Sequence, residues 1–154
     1  MFAVSHGKFI LIDEEERIQY VEKGTVFAEQ SINKPEDVGA CRRMAEKVLT
    51  MYSIEAKEIR QTLLAISEAV TNVVKHAEYG KLTIRLCGGL LKLVVTDCGP
   101  GLPFDKIPYM VFFSGFSTKT SMGFGFSLMY QYSDKLVLHT SNSGTTVVME
   151  KKIA

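Results

Sequence analysis

The chain has 154 residues, 46% of them apolar, and its 18 basic and 17 acidic residues give a formal net charge of +1. A chain of this length buries about two thirds of its unfolded surface, which suits one globular domain over residues 1–154. The balanced charge excludes a global field favouring nucleic acid or an anionic membrane. No apolar run is long enough to span a bilayer, and the N-terminus lacks the apolar core of a signal peptide.

The cysteines indicate a reducing compartment. Cys41, Cys87 and Cys98 are odd in number and lack the spacing of metal ligands. Such thiols usually serve as small apolar fillers in proteins that form no disulfides. A cytoplasmic location is therefore expected.

The N-terminal part of the chain is expected to form short strands. The apolar segments 8–12, 18–22 and 24–32 have the composition of strands. The acidic run at 13–17 is expected to be a solvated turn between the first two.

Two helices are expected next. Asn33, as a capping residue, and Pro35, in a first turn that needs no amide, predict a helix start. Apolar residues continue this helix to Tyr52 at helical spacing. A second helix is expected from about 55 to 78. Its apolar stripe contains Ile59, Leu63, Ile66, Val70, Val73, Val74 and Ala77.

The second half predicts two hairpins, a loop and one helix. Gly88-Gly89 between two apolar runs is a hairpin signal, and 102–122 lacks periodicity and is expected to be a loop. The whole pattern predicts an α+β two-layer sandwich, with a mostly antiparallel sheet and helices on one face. The remaining expected elements are strands at 82–87, 90–96, 136–141 and 145–151 and a helix at about 125–134.

The helix at 55–78 has a polar face as well as an apolar one. At 100° per residue, Glu68, Asn72 and His76 lie within an arc of about 80°, away from the apolar stripe. Ala65 and Ala69 share this arc, and their small side chains would leave room for a ligand. A solvated face with a chance pair of alanines is the alternative.

The polar residues of this arc suit phosphate chemistry. The amide oxygen of Asn72 is a ligand that Mg²⁺ accepts beside phosphates and water. Glu68, one turn earlier, is placed to take a proton from a water or hydroxyl attacking a terminal phosphate. His76 either lines the edge of this site or caps the helix, and we assign it no chemistry.

A second motif begins at Asp97, which ends an apolar strand and precedes Cys98-Gly99-Pro100-Gly101. The glycines allow a sharp turn. An ionised carboxylate only accepts hydrogen bonds, so Asp97 would accept from the exocyclic amine of adenine and repel the exocyclic oxygen of guanine. An ordinary turn containing an aspartate is the alternative.

A third glycine segment extends from Gly115 to Gly125 and contains Lys119. Amides at a helix N-terminus attract phosphate, and Lys119 could reach a terminal phosphate. The segment is not a Walker loop, because no Gly-x-x-x-x-Gly-Lys-Ser/Thr pattern occurs in it. It is not a Rossmann fingerprint either, because Leu128 stands where the third glycine would be.

Together the three motifs resemble the N, G1 and G2 boxes of the Bergerat-fold (GHKL) ATPase superfamily, over residues 24–152; the strands expected at 8–22 lie outside that core. The resemblance implies ATP and Mg²⁺ as cofactors and a mobile lid at about 105–122. It implies that Asn72 binds Mg²⁺ and Asp97 binds adenine. Nucleotide contacts are further implied for Gly99, Gly101, Lys119, Gly123, Gly125 and Thr145.

Within that superfamily, Glu68-Ala-Val-Thr-Asn72 in one free-standing domain is similar to the anti-sigma serine/threonine kinases of the RsbW and RsbT type. The resemblance implies phosphorylation of a small STAS-domain (anti-anti-sigma) partner, with Glu68 as the base. A sigma factor as second partner and a homodimer stay open. Two alternatives are a non-catalytic nucleotide-dependent regulator, such as an anti-sigma factor, and an ATPase subunit serving a separate histidine-kinase module.

Overall fold

The computed structural model describes residues 2–4, 7–101 and 122–153. Within these ranges it contains four helices: α1 (Glu14–Val21), α2 (Glu36–Thr50), α3 (Ala56–His76) and α4 (Met122–Tyr132). The strands of the same ranges are β1 (Phe2–Val4), β2 (Phe9–Leu11), β3 (Thr25–Ile32), β4 (Gly80–Cys87), β5 (Leu90–Asp97), β6 (Lys135–Ser141) and β7 (Gly144–Lys152).

The described strands form one sheet in the order β1-β2-β6-β7-β5-β4-β3. Every neighbouring pair is antiparallel except β2 and β6, which are parallel. The predicted α+β architecture with a mostly antiparallel sheet is confirmed. The hairpin at Gly88-Gly89 is confirmed too, and Gly88 has a φ of 61° there.

The main core lies between one face of the sheet and the helices α2, α3 and α4. Alternate residues of the central strands point to this face, because side chains alternate along a strand. The core side chains that are almost fully buried include Ile32, Leu49, Ile66, Leu82, Ile84, Leu91, Leu93, Met129, Leu136 and Leu138. The predicted apolar stripe of α3 belongs to this core.

The strand expected at 18–22 and the turn expected at 13–17 were wrong, because 14–21 form α1. Asp13 caps this helix: its carboxylate accepts from the Glu16 amide at 2.8 Å, and the Glu16 carboxylate accepts from the Asp13 amide at 3.2 Å. This capping box satisfies two amides at the helix start. The Asp-x-x-Glu pattern at 13–16 is itself a local sequence signal for a helix start.

Helix α1 packs on the sheet face opposite to the main core. Tyr20 and Val21 contact a smaller cluster of buried residues, which contains Ile10, Ile12, Val94, Val137 and Val148. The sheet therefore has helices on both faces, with three on one side and α1 on the other.

The start of α2 also differs from the prediction. The capping group is the carboxylate of Asp37, which accepts from the backbone amides of Asn33 and Lys34 at 2.9 and 3.1 Å. Among the described residues, the side chain of Asn33 accepts no capping hydrogen bond from the start of α2. Within the described ranges, no helix is long and apolar enough to cross a membrane.

Candidate functional site

Asp97 lies at the end of β5, between two neighbouring strands. It pairs with Gly80 of β4 on one side and with Thr145 of β7 on the other. Its side chain is on the sheet face that α3 covers, and a Cβ added at Gly80 would touch both Val73 of α3 and the Cβ of Asp97. The register of the sheet thus places this carboxylate next to the end of α3.

Two backbone amides hold the Asp97 carboxylate. Its Oδ1 accepts from Gly99 at 2.9 Å and from Thr145 at 3.2 Å. No hydrogen bond from another described residue reaches Oδ2. Among the described residues, the protein therefore orients this carboxylate through one oxygen, Oδ1.

Burial raises the pKa of Asp97 above its ordinary value. The amides of Gly99 and Thr145 and the nearby His76 oppose this rise, because each favours the ionised form. As pH decreases, Asp97 therefore becomes protonated at a higher pH than a solvated aspartate does. It then has a hydrogen-bond donor, whereas the ionised form only accepts.

The turn after Asp97 is possible only with glycine at its tight points. Gly101 has a φ of 85°, and a Cβ there would overlap the carbonyl oxygen of Ser141. A Cβ at Gly99 would lie 3.0 Å from the Cβ of Ala77 and 3.2 Å from Oδ1 of Asp97. The turn consequently packs directly on the C-terminal end of α3.

Thr145 joins the Asp97 carboxylate to β6. Its amide binds Asp97, and its buried hydroxyl lies 3.0 Å from the hydroxyl of Thr140. Thr140 was not predicted as a site residue. Its position opposite Thr145 follows from the β6–β7 register. The spacing of the two threonines around the hairpin turn is therefore the sequence signal that predicts their pairing.

The other predicted polar residues lie along α3. His76, Asn72 and Glu68 follow one another at four-residue intervals, so the row is about 12 Å long. Nδ2 of Asn72 is buried and has no hydrogen-bond partner among the described residues. An unsatisfied buried donor costs about 1–3 kcal/mol, which a bound phosphate oxygen would remove.

Helix α4 passes close to this row at Gly125. A Cβ at Gly125 would lie 3.2 Å from Oε2 of Glu68 and 3.6 Å from Nδ2 of Asn72. Glycine at 125 thus lets the backbone of α4 approach both polar groups closely. Because α4 begins at Met122, Gly123 and Gly125 belong to its N-terminal end, where helix amides have no intrahelical partner.

The expectation that Ala65 and Ala69 leave room for a ligand was wrong. Their exposed fractions are 1% and 3%, and both belong to the main core. Helix α4 packs against α3, and small side chains permit a close helix approach. The polar row is therefore bordered by a protein contact on this side.

Some predicted features lie outside the described residues. These are Lys119 and, apart from Met122, the loop expected at 102–122 with the lid at about 105–122. An open cavity of about 620 Å³ borders the described part of the turn, and its lining includes Lys75, His76, Gly99, Pro100 and Asn142. Asp97 and Asn72 do not line that cavity.

The fold and the described site define a class. A carboxylate at a strand end, a glycine turn against a helix, and asparagine and glutamate on that helix are the parts of a Bergerat-type ATPase domain. The family model described as "Histidine kinase-like ATPase domain" matches residues 32–151. The chain belongs to this family, which confirms the resemblance inferred from the three motifs.

Relatives and a solved structure agree with this assignment. The chain is 31% identical to "Serine-protein kinase RsbW" of Bacillus pumilus over 131 residues, which cover 77% of this chain and 80% of that protein. It is 28% identical to "Anti-sigma F factor" of Geobacillus kaustophilus over 104 residues, 63% and 71% of the two chains. The SiaB–SiaC complex of Pseudomonas aeruginosa contains a chain with the same fold, at a TM-score of 0.60 and 8% identity. The match covers 89% of this chain and 95% of that chain.

Replacing Gly101 should test the turn. Gly101→Ala places an alanine in the left-handed region, which costs about 1 kcal/mol, and its Cβ clashes with the Ser141 backbone. We therefore expect the free energy of unfolding, measured by urea titration, to fall by about 2–4 kcal/mol. Gly88→Ala is the matched control, since Gly88 also has positive φ but a Cβ there meets no atom within 4 Å. Equal losses in the two variants would contradict the proposed packing.

Proposed function

We propose that this protein is an ATP- and Mg²⁺-dependent serine/threonine protein kinase that phosphorylates a small STAS-type anti-anti-sigma partner. The observation that supports catalysis most directly is the half-buried Glu68 carboxylate beside Asn72, with both side chains next to the N-terminal end of α4 at Gly125. The similarity to a protein named serine-protein kinase RsbW supports the class of acceptor.

Adenine would be bound at the end of β5. Oδ2 of Asp97 accepts a hydrogen bond from the exocyclic amine, while Oδ1 stays on Gly99 and Thr145. A hydrogen bond to a charged group contributes about 1.5–3 kcal/mol, which favours ATP over GTP by tenfold or more. Thr145 and Gly101 shape the surrounding wall.

The phosphates would lie along α3 toward α4. Asn72 would bind Mg²⁺ through its amide oxygen and donate from Nδ2 to a phosphate oxygen. Among the described residues no cluster of three histidine, cysteine or acidic side chains could hold a metal alone, so the remaining ligands would be phosphates and water. When bound, Mg²⁺ neutralises phosphate charge. Amides at the start of α4, at Gly123 and Gly125, and Lys119 are further proposed phosphate contacts.

Glu68 would act as the base. A serine hydroxyl of the acceptor attacks the γ-phosphorus; the new O–P bond forms as the bond to the β-phosphate oxygen breaks, and ADP leaves. The hydroxyl proton passes to the Glu68 carboxylate. A positioned base of this kind contributes about 10²–10⁴ in rate.

A basic groove leads along α3 toward Glu68. Arg42 and Arg43 of α2 and Arg60 of α3 line a cavity of about 560 Å³ together with the half-exposed Leu64. Arg60 and Leu64 precede Glu68 by two turns and one turn of the same helix. An acidic surface on the protein acceptor would fit this groove and bring its hydroxyl to Glu68.

A non-catalytic regulator is the second candidate, because one relative is named an anti-sigma F factor. That function would use the same nucleotide pocket but would not need a carboxylate at residue 68. A sigma factor as partner and a homodimer remain predictions.

The two candidates differ in their need for Glu68. Glu68→Gln should keep ATP affinity within about twofold and lower phosphotransfer by at least about 10². The measurement is transfer from radiolabelled ATP to a STAS-domain acceptor, with ATP affinity measured by calorimetry. Glu15→Gln, at an exposed glutamate of α1 on the other face of the sheet, is the control. Equal transfer by wild type and Glu68→Gln would exclude Glu68 as the base.

The affinity for ATP should depend on pH through Asp97. Burial raises the pKa of this carboxyl, and only the ionised form accepts from adenine. Affinity should therefore be complete above this raised pKa and fall as pH decreases through it. Calorimetric titrations between pH 4 and 8 (about the range where such groups titrate) would measure the profile. In Asp97→Asn the ATP affinity should be low and should no longer decrease at acidic pH. If the decrease is the same as in the wild type, another group causes it.

The groove should matter for the protein acceptor but not for ATP. Arg60→Glu places a negative charge against an acidic partner, so we expect transfer to the STAS-domain acceptor to fall by about tenfold. ATP affinity should stay unchanged. Lys57→Glu, an exposed residue of the same helix outside the groove, is the matched control, and equal losses in both variants would indicate a nonspecific charge effect.

A further inference from the structure

A third cavity lies on the opposite face of the sheet, between α1 and the strands. Its volume is about 220 Å³. It is lined by Ile10, Ile12, Glu16, Gln19, Tyr20, Lys23, Lys135 and Val137. None of these residues belongs to the nucleotide site, which is on the face that α2, α3 and α4 cover.

The floor of this cavity is apolar. Ile10, Ile12 and Val137 are buried, and they belong to the small core cluster under α1. An apolar cavity of about 150 Å³ can hold benzene. The cavity under α1 is therefore large enough for one aromatic ring or a short aliphatic chain with a polar substituent.

One polar group in the wall lacks a partner. The hydroxyl of Tyr20 is buried and has no hydrogen-bond partner among the described residues. The ring itself is held firmly, since Nζ of Lys92 lies 3.7 Å from its centroid and donates to the Tyr20 carbonyl at 3.1 Å. A fixed, unsatisfied donor in a cavity wall is a group that a ligand acceptor would complete.

The charges around the cavity are mostly positive. Lys23 and Lys135 line it, and Lys92 is buried behind Tyr20. Burial lowers the pKa of Lys92, and repulsion from Lys23, Lys135 and Arg85 lowers it further, while Cys87 opposes this. Glu16 is the one acid in the lining, and its carboxylate accepts the Asp13 amide in the capping box.

We propose that this cavity is a binding site for a small amphipathic carboxylate. The apolar body of the ligand would lie on Ile10, Ile12 and Val137. Its carboxylate would accept from the Tyr20 hydroxyl and face Lys23 and Lys135. Such a site combines an apolar floor with a few directed polar groups, which is the usual composition of small-molecule sites.

Benzoate is a suitable probe, because it has one ring and one carboxylate. Calorimetry on the full chain should detect one site for benzoate, and benzyl alcohol, which has the ring but no charge, should bind at least tenfold more weakly. The amide signals of α1 and β6 in heteronuclear NMR spectra should shift with benzoate, and those of α3 should not. This test needs no nucleotide, so its result is independent of the proposed kinase activity.

Tyr20→Phe is the decisive variant. It removes only the unsatisfied hydroxyl, so the fold should persist while benzoate affinity falls about tenfold. Tyr79→Phe, at an exposed tyrosine before β4, is the matched control and should bind normally. Lys135→Gln should weaken binding by about two- to fivefold, with Lys57→Gln as its control.

Four results would overturn the proposal. Three of them come from calorimetry: no benzoate binding at millimolar concentration, equal binding of benzoate and benzyl alcohol, and unchanged benzoate affinity in Tyr20→Phe. The fourth is a set of NMR shifts confined to the face that α2, α3 and α4 cover, since they would place the probe elsewhere.

Discussion

The site depends on the hydrogen bonds that two backbone amides donate to the Asp97 carboxylate. The amide of Thr145 comes from the neighbouring strand and the amide of Gly99 from the following turn, so strand register and turn geometry must both be correct. Burial opposes ionisation of this carboxyl, and the amides offset that penalty. The result is a carboxylate that the protein orients through Oδ1, and the proposed contact with adenine would use Oδ2.

Helix α3 connects this strand end to the catalytic residues proposed for phosphotransfer. Its C-terminal end packs on Gly99, and its middle presents Asn72 and Glu68 next to Gly125 of α4. Two close approaches therefore set the position of one helix, and each needs a glycine. A helix placed this way would keep the proposed adenine and phosphate contacts at a constant separation, which a nucleotide of constant length requires.

The N-terminal segment gives the sheet a second packed face. Helix α1 covers apolar residues of β5, β6 and β7 that would otherwise be exposed, and Lys92 and Arg85 donate to carbonyl groups at its C-terminal end. Cations near that end also complement the helix dipole. The cavity under α1 arises from this arrangement, because an eight-residue helix cannot fill the whole face.

The sequence by itself determined the α+β class, helix 56–76 and the two hairpins, since apolar periodicity and glycine turns are local signals. It also nominated Glu68, Asn72 and Asp97 for the candidate site, because their side chains have the chemistry that a nucleotide needs, and this assignment remains a prediction. The helix at 14–21 and the pairing of Thr140 with Thr145 also had local signals, in the Asp-x-x-Glu capping box and the spacing of the β6–β7 hairpin. Only the tertiary structure decided that Ala65 and Ala69 are buried and that α1 packs on the second face of the sheet. These features depend on contacts between segments distant in sequence, which no local pattern specifies.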